Sequence, residues 1–146
     1  MTKERLRRYQ SIKIEKEQLQ LLLEDALAAI NKAPYESPVQ KLTGMPQAHA
    51  PGGESRQERA ADKRSESNLQ RLVDLYVRKI DALAAEQLAI ETAIGSVEDS
   101  TLRILLRYKY LDGMKWEEVC LALGYEWAQT HRLHAKALEL LREVDG

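Results

Sequence analysis

Hydrophobic residues recur in alternating steps of four and three along most of the chain, a spacing that predicts long helices rather than strands. The clearest series spans four heptads between Leu69 and Val97 and is interrupted only by Gln87. Its apolar members are Leu69, Val73, Tyr76, Ile80, Leu83, Ile90, Ile94 and Val97. This seam is typical of a helix in a coiled coil or bundle. Because Leu72, Leu75 and Leu88 flank it, we expect a wider buried stripe than a two-stranded coiled coil needs.

A weaker series of the same kind predicts a first long helix from Arg5 to about Lys32, through Tyr9, Ile12, Leu19, Leu23, Ala26 and Ile30. This helix should end before Pro34, because the residue preceding a proline disfavours the helical region. Residues 34–53 hold all four prolines and predict an irregular connector. We expect the two long helices to form an antiparallel coiled coil. A second copy of the chain is an additional or alternative partner.

Three shorter helical patterns follow the long seam, and two glycine turns separate them. The first runs from Leu102 to Leu111, the second from Trp116 to Leu123, and the third from near Glu126 to about Val144. Residues 98–101 provide candidate N-caps, and Gly113 and Gly124 stand where helix ends favour a left-handed residue. The expected fold is therefore all-α, with a coiled-coil region at 1–98 and a second domain at 99–146.

A short helix, a tight glycine-containing turn and a longer helix are the parts of a helix-turn-helix DNA reader. In the third helix, the spacing predicts Thr130, Leu133, Ala137 and Leu141 as core residues. The opposite face carries the candidate DNA-binding residues Trp127, Gln129, His131, Arg132 and Lys136.

Each candidate side chain suits a particular contact with DNA. Gln129 suits adenine, Arg132 suits guanine or phosphate, and Lys136 suits phosphate. Trp127, if exposed, suits a thymine methyl group or a protein partner, and if buried it closes the first turn of its helix. Further cations for phosphates are Arg103, Arg107, Lys109 and Lys115. The alternative interpretation of this face is an exposed polar helix surface, with Trp116 as a packing anchor.

The charge balance requires any DNA contact to be local. The formal net charge is −1, and residues 99–146 hold seven Lys and Arg against eight Asp and Glu. A basic face therefore requires the acids to lie elsewhere on the helices. The cluster Arg5, Arg7 and Arg8 is interpreted as solubilising surface, with phosphate contact as the alternative.

The sequence predicts neither a catalytic site nor a bound metal or cofactor. His131 and His134 are three residues apart, but no third ligand accompanies them at metal-binding spacing. No phosphate loop, His-Glu-x-x-His motif or nucleophile elbow is present. A single cysteine, Cys120, suits a reducing compartment, and no apolar run is long enough to span a membrane. We expect a cytoplasmic protein that is not an enzyme.

Three blocks of the C-terminal segment resemble the fourth, promoter-reading region of bacterial sigma factors. They are Tyr110-Leu-Asp-Gly-Met-Lys-Trp-Glu-Glu-Val119, Leu123-Gly-Tyr125 and His131-Arg-Leu-His-Ala-Lys-Ala-Leu-Glu-Leu-Leu141. With the N-terminal helix, the Leu42-Thr-Gly-Met-Pro46 connector and the long charged helix, the chain resembles the ArpU/RinA-type late-gene regulators of phages and prophages. The resemblance implies a cytoplasmic regulator that binds double-stranded DNA and acts with RNA polymerase.

The preferred hypothesis is thus a sequence-specific DNA-binding regulator of transcription. One alternative is a coiled-coil assembly or adaptor protein whose C-terminal trihelical unit binds protein. Another is a DNA-packaging factor similar to the small terminases of phages.

Overall fold

The computed structural model describes the backbone of residues 1–43 and 56–144 and the side chains of residues 1–31 and 63–144. Within these ranges the fold is all-α, as predicted. A π-helical turn at Arg107–Leu111 directly continues the helix that ends at Leu106. The helices are α1 (Lys3–Thr43), α2 (Arg56–Gly95), α3 (Ser100–Leu106), α4 (Trp116–Leu123) and α5 (Trp127–Val144). None of the described helices is both long enough and apolar enough to cross a membrane.

The chain divides into two compact units, and the first combines Met1–Lys16 with Asp81–Gly146. Its core mixes residues from the start of α1, the end of α2 and the C-terminal helices, including Leu6, Ile94, Leu106 and Leu141. All four of these side chains are fully buried. The segment 99–146, predicted as a domain of its own, therefore shares one core with both long helices.

Polar contacts of Arg5 and Tyr9 join α1 to α2 at the edge of this core. The Arg5 guanidinium donates to both carboxylate oxygens of Glu86, at 2.9 and 3.1 Å, in the bidentate geometry that carboxylates favour. The Tyr9 hydroxyl donates to Glu91 at 2.6 Å. Burial, followed by the nearby Glu91 carboxylate, raises the pKa of Tyr9 to about 12. These contacts fix the first turns of α1 on the last turns of α2.

The second unit comprises Glu17–Ile80, the middle portions of α1 and α2. Its buried apolar residues include Leu19, Ala26 and Val73, which belong to the predicted seams. The wider stripe expected around the α2 seam is not buried within one chain, because Leu72 and Leu75 are exposed here and Leu88 is exposed in the first unit. A second copy of the chain stays a predicted partner for these positions. The antiparallel coiled coil itself stays a prediction.

The prediction that the first helix ends before Pro34 was wrong. Helix α1 continues through Pro34 and Pro38 to Thr43. A proline inside a helix removes one N–H donor and crowds the preceding turn, a cost of about 3 kcal/mol that favourable neighbours can offset. The bias of a pre-proline residue is a preference, not a prohibition. The rest of the predicted connector, residues 44–53, lies outside the described residues.

Candidate nucleic-acid interface

Two side chains form hydrogen bonds with the backbone at the junction between α2 and α3. Asp99 is the N-cap, and its Oδ1 accepts hydrogen bonds from the backbone N–H groups of Thr101 and Leu102, at 2.8 and 3.2 Å. Arg103 donates through Nη1 to the carbonyls of Val97 and Glu98, at 2.7 and 2.8 Å. The N-cap prediction is confirmed. Arg103 uses its Nη1 donors on carbonyls that follow α2, and its availability to phosphate through the remaining donors stays a prediction.

The π-helical turn after α3 is supported from α1. The Gln10 side-chain amide donates to the carbonyls of Tyr110 and Leu111, which end the turn. Gly113 follows with φ of +71°, and a Cβ at this position would approach Gln10 Cδ to 3.2 Å. Glycine is thus favoured by both its left-handed backbone and the nearby side chain.

Helix α4 and the following turn have the geometry that the sequence predicts. Gly124 adopts the left-handed conformation, with φ of +75°, and its N–H donates to the carbonyl of Cys120 at 2.9 Å. The N–H of Tyr125 donates to the same carbonyl at 3.2 Å. The turn is completed by Glu126, whose carbonyl accepts from the backbone N–H and the hydroxyl of Thr130, at 2.9 and 3.0 Å. Helix α5 therefore leaves the turn in a fixed direction.

The two faces of α5 differ as the spacing predicts. Thr130, Ala137 and Leu141 are fully buried, which confirms their assignment to the core, and Leu133 is half-buried against the same cluster. The opposite face is exposed at four of the five candidate DNA-binding residues of this helix: Trp127, Gln129, Arg132 and Lys136. The candidates that precede α5, Arg107 and Lys115, are also exposed.

The fifth candidate on α5, His131, lies between two indole rings. Its ring centroid is 4.4 Å from that of Trp116 and 4.4 Å from that of Trp127. Its Nε2 atom is buried and has no hydrogen-bond partner among the described residues. A hydrogen bond from Nε2 to a base would require the ring to move. Here His131 instead supports Trp127, which is 54% exposed.

His134 and Tyr110 form a buried polar pair that the sequence did not predict. The Tyr110 hydroxyl and His134 Nε2 are joined by a 2.6 Å hydrogen bond. Burial is the main cause that lowers the pKa of His134 to about 4, and electrostatic interactions with Lys3, His131, Lys109 and Arg7 lower it further. Burial also raises the pKa of Tyr110 to about 12. The imidazole is therefore neutral at pH 7.

The two histidines do not share a ligand site in the structure. His134 Nε2 is bonded to Tyr110, whereas His131 faces the indoles. Among the described residues, no group of three or more His, Cys, Asp or Glu side chains is placed to hold a metal ion.

Positive charges from two segments that are distant in sequence meet beside the C-terminal helices. Lys109 donates through Nζ to the carbonyl of Met114 at 3.3 Å and lies 4.8 Å from the centroid of the Trp116 ring, a cation–π geometry. Lys3 and Arg7 of α1 line the same groove as Lys109 and Trp116. In the sequence, Lys109 and Arg7 stand out only as cations on separate helices, and Lys3 does not stand out at all. Local spacing gives no signal that two helices far apart in sequence meet here.

No protein-family model, curated protein or solved structure matches this chain. The resemblance to the sigma-factor region and to the ArpU/RinA-type regulators therefore stays a prediction.

Proposed function

We propose that the protein is a cytoplasmic, non-enzymatic regulator of transcription that binds a specific double-stranded DNA sequence through α5. The observation that carries the proposal is the exposed polar face of α5 directly after the left-handed turn at Gly124. A helix whose first turns project polar side chains, and whose other face is anchored in a core, suits insertion into a major groove.

The proposed contacts follow from side-chain chemistry and exposure. Arg132 is exposed in the second turn of α5 and has the forked donors that recognise guanine. Gln129 has the paired donor and acceptor that recognise adenine, and Lys136 reaches phosphate. Trp127 offers an apolar edge for a thymine methyl group. Arg107, at the start of the π-helical turn, and Lys115, directly before α4, extend the phosphate contacts.

The biological setting of this proposal comes from the sequence resemblance. The family implies regulation of phage or prophage late genes, together with a contact to RNA polymerase. The long helices provide the means for a second chain to associate, since they leave leucines such as Leu72 and Leu75 exposed. In a homodimer, the distance between two α5 helices would set the spacing of the DNA half-sites.

Protein binding is a second candidate function, and specific exposed residues favour it. Leu121 on α4 is 84% exposed and Trp127 is 54% exposed, so the trihelical segment presents large apolar side chains to solvent. Tryptophan is enriched at the centres of protein interfaces. In this case Trp127 would anchor a protein partner, and DNA would not be retained.

The deciding experiment measures retention of fragments of the source genome by the purified full chain at several salt concentrations. We expect a discrete fragment to be bound, with an affinity that falls as salt rises. Arg132→Ala should cost about 1–3 kcal/mol on that fragment and relax its specificity, whereas Lys136→Ala should weaken all fragments and reduce the salt slope by about 1.

Arg142→Ala is the matched control, because Arg142 is exposed in the last turn of the same helix. Its binding should equal that of the wild type. Retention of no fragment at low salt would refute the DNA proposal and leave the protein-binding function to be tested with Trp127→Ala.

A further inference from the structure

A groove on the first compact unit combines positive charge from two separate helical segments. Its lining residues come from the start of α1 and from the segment that runs from the π-helical turn to the first residue of α4, and it encloses about 330 Å3. The residues are Lys3, Leu6, Arg7, Gln10, Lys109, Tyr110, Gly113 and Trp116. Three of them are cations and none is acidic. In a chain of net charge −1, such a local excess of positive charge marks an anion site.

The charges of this groove are poorly compensated within the chain. Lys3 and Arg7 lie four residues apart on one face of α1, and among the described residues neither forms a hydrogen bond or an ion pair. Lys109 gives one hydrogen bond to the carbonyl of Met114, which leaves further donors on its ammonium group. After burial, all three cations help to lower the pKa of His134, as expected for positive charges close to the imidazole.

The neutral residues of the groove leave space for an anion and do not use the donors of the three cations. Gln10 uses its amide donors on the carbonyls of Tyr110 and Leu111. Gly113 has no side chain, so the backbone is accessible there, and both Gly113 and Arg7 are exposed. The groove is thus open to the surface, a form that suits one group of a long polymer passing across it.

We infer that this groove binds a phosphate group, and that the group is a phosphodiester of the DNA backbone beside the segment contacted by α5. The identity of the polymer rests on the function proposed above, but the phosphate chemistry does not. The ammonium groups and the guanidinium would donate to the phosphate oxygens, in the manner usual for lysine and arginine. The first turns of α1 would thereby fix the orientation of the C-terminal helices on the duplex.

The test compares the full chain with the double variant Lys3→Gln/Arg7→Gln. On DNA, we expect the variant to lose about tenfold in affinity equally for specific and unrelated fragments, with a salt slope lower by about 1. In a parallel assay without DNA, inorganic pyrophosphate should raise the thermal unfolding midpoint of the wild type and not that of the variant. The unfolding midpoint without any anion verifies that both proteins are folded.

Two control variants separate a specific site from general electrostatics. Arg8→Gln/Lys13→Gln also removes two positive charges, but from exposed positions of α1 that do not line the groove. This variant should bind DNA as the wild type does. Lys3→Arg/Arg7→Lys keeps both charges and should retain most of the affinity.

The outcomes distinguish this inference from the proposed function. If the wild type binds DNA and the groove variant binds it equally well, and pyrophosphate stabilises neither protein, the inference is overturned while the DNA-binding function stands. If no DNA is bound but pyrophosphate stabilises only the wild type, the groove is a site for a free phosphate compound and the DNA-binding function fails. Equal losses in the groove and control variants would also overturn the inference, because general charge would then account for the effect.

Discussion

The hydroxyl of Tyr110 and Nε2 of His134 are 2.6 Å apart, in a buried contact that ties the π-helical turn to α5. The two rings are stacked with centroids 5.7 Å apart, and the Trp116 ring meets His134 edge-on at 4.6 Å. This cluster holds the inner face of α5 while its outer face remains exposed. This buried hydrogen bond and its aromatic surroundings therefore add to the core contacts that hold the candidate reading helix.

Replacing Tyr110 by Phe should lower the free energy of unfolding by about 1–3 kcal/mol, because His134 Nε2 would be left buried without its partner. Urea denaturation at pH 7 measures this change. Tyr108→Phe is the matched control, since Tyr108 is half-buried and its hydroxyl forms no hydrogen bond with the described residues. Its effect should stay within about 0.5 kcal/mol. Equal effects of the two variants would contradict the role assigned to the Tyr110 hydroxyl.

Protonation of His134 should destabilise the fold at mildly acidic pH. Its pKa is about 4 in the folded protein, against an ordinary value of 6.5, so the unfolded chain binds more protons between these values. The free energy of unfolding should therefore fall as pH decreases from 6.5 towards 4, by up to about 3 kcal/mol. Urea denaturation across this range measures the loss.

Glu86 also contributes stability that is lost in acid, because its pKa is lowered in the folded protein. This loss occurs near and below the ordinary glutamate pKa of 4.5. The window between pH 5 and 6.5 therefore separates the histidine from that carboxylate. The variant His134→Asn should flatten the pH dependence in this window. An NMR titration in which His134 protonates near 6.5 would contradict the prediction.

Loss of the Asp99 cap should destabilise the first unit by about 1 kcal/mol, because two N–H groups at the start of α3 would lose their acceptor. The measurement is thermal or urea unfolding of Asp99→Ala. Asp99→Asn should retain most of the stability, since an amide oxygen also caps. Ser100→Ala, at an exposed neighbouring position, should change little, and a comparable loss there would argue against a specific cap.

A side chain at Gly124 should be costly because of backbone conformation alone. With φ of +75°, an added Cβ meets no atom within 4 Å, so Gly124→Ala should cost about 1–2 kcal/mol through the strained left-handed backbone. Gly95→Ala tests the same change at a glycine that also has open space but no positive φ. It should be neutral or slightly stabilising. Similar unfolding midpoints for both variants would show that the Gly124 conformation is not strained for alanine.

Much of the C-terminal segment could be predicted because its signals are local. The glycine at 124 ends α4 through its own backbone freedom, Asp99 caps α3 through atoms two and three residues away, and the buried face of α5 follows from helical periodicity. The α2 seam was likewise evident, since Ile90 and Ile94 are fully buried. In each case the signal in the sequence, a glycine, a cap or a periodicity, spans only a few helical turns.

The contacts of individual polar side chains could not be predicted in the same way. His131 and His134 look equivalent on a helical projection, yet one lies between two indoles and the other bonds to Tyr110. Arg103 looks fully available to phosphate, yet its Nη1 donates to the carbonyls of Val97 and Glu98, which follow α2. These outcomes depend on which neighbouring segment covers each position.

The sequence by itself determined the all-α fold class, the seam of α2, the bounds of α4 and α5, and the exposed polar face of α5, because helical periodicity and glycine conformation act over a few residues. Only the tertiary structure decided that the start of α1 completes the C-terminal core. It also decided that Gln10 supports the turn at Tyr110, about a hundred positions away, and that Lys3 and Arg7 meet Lys109 in one groove. The burial of a residue and the electrostatic interactions that act on it depend on all segments that pack around it. No local sequence pattern shows which segments those are.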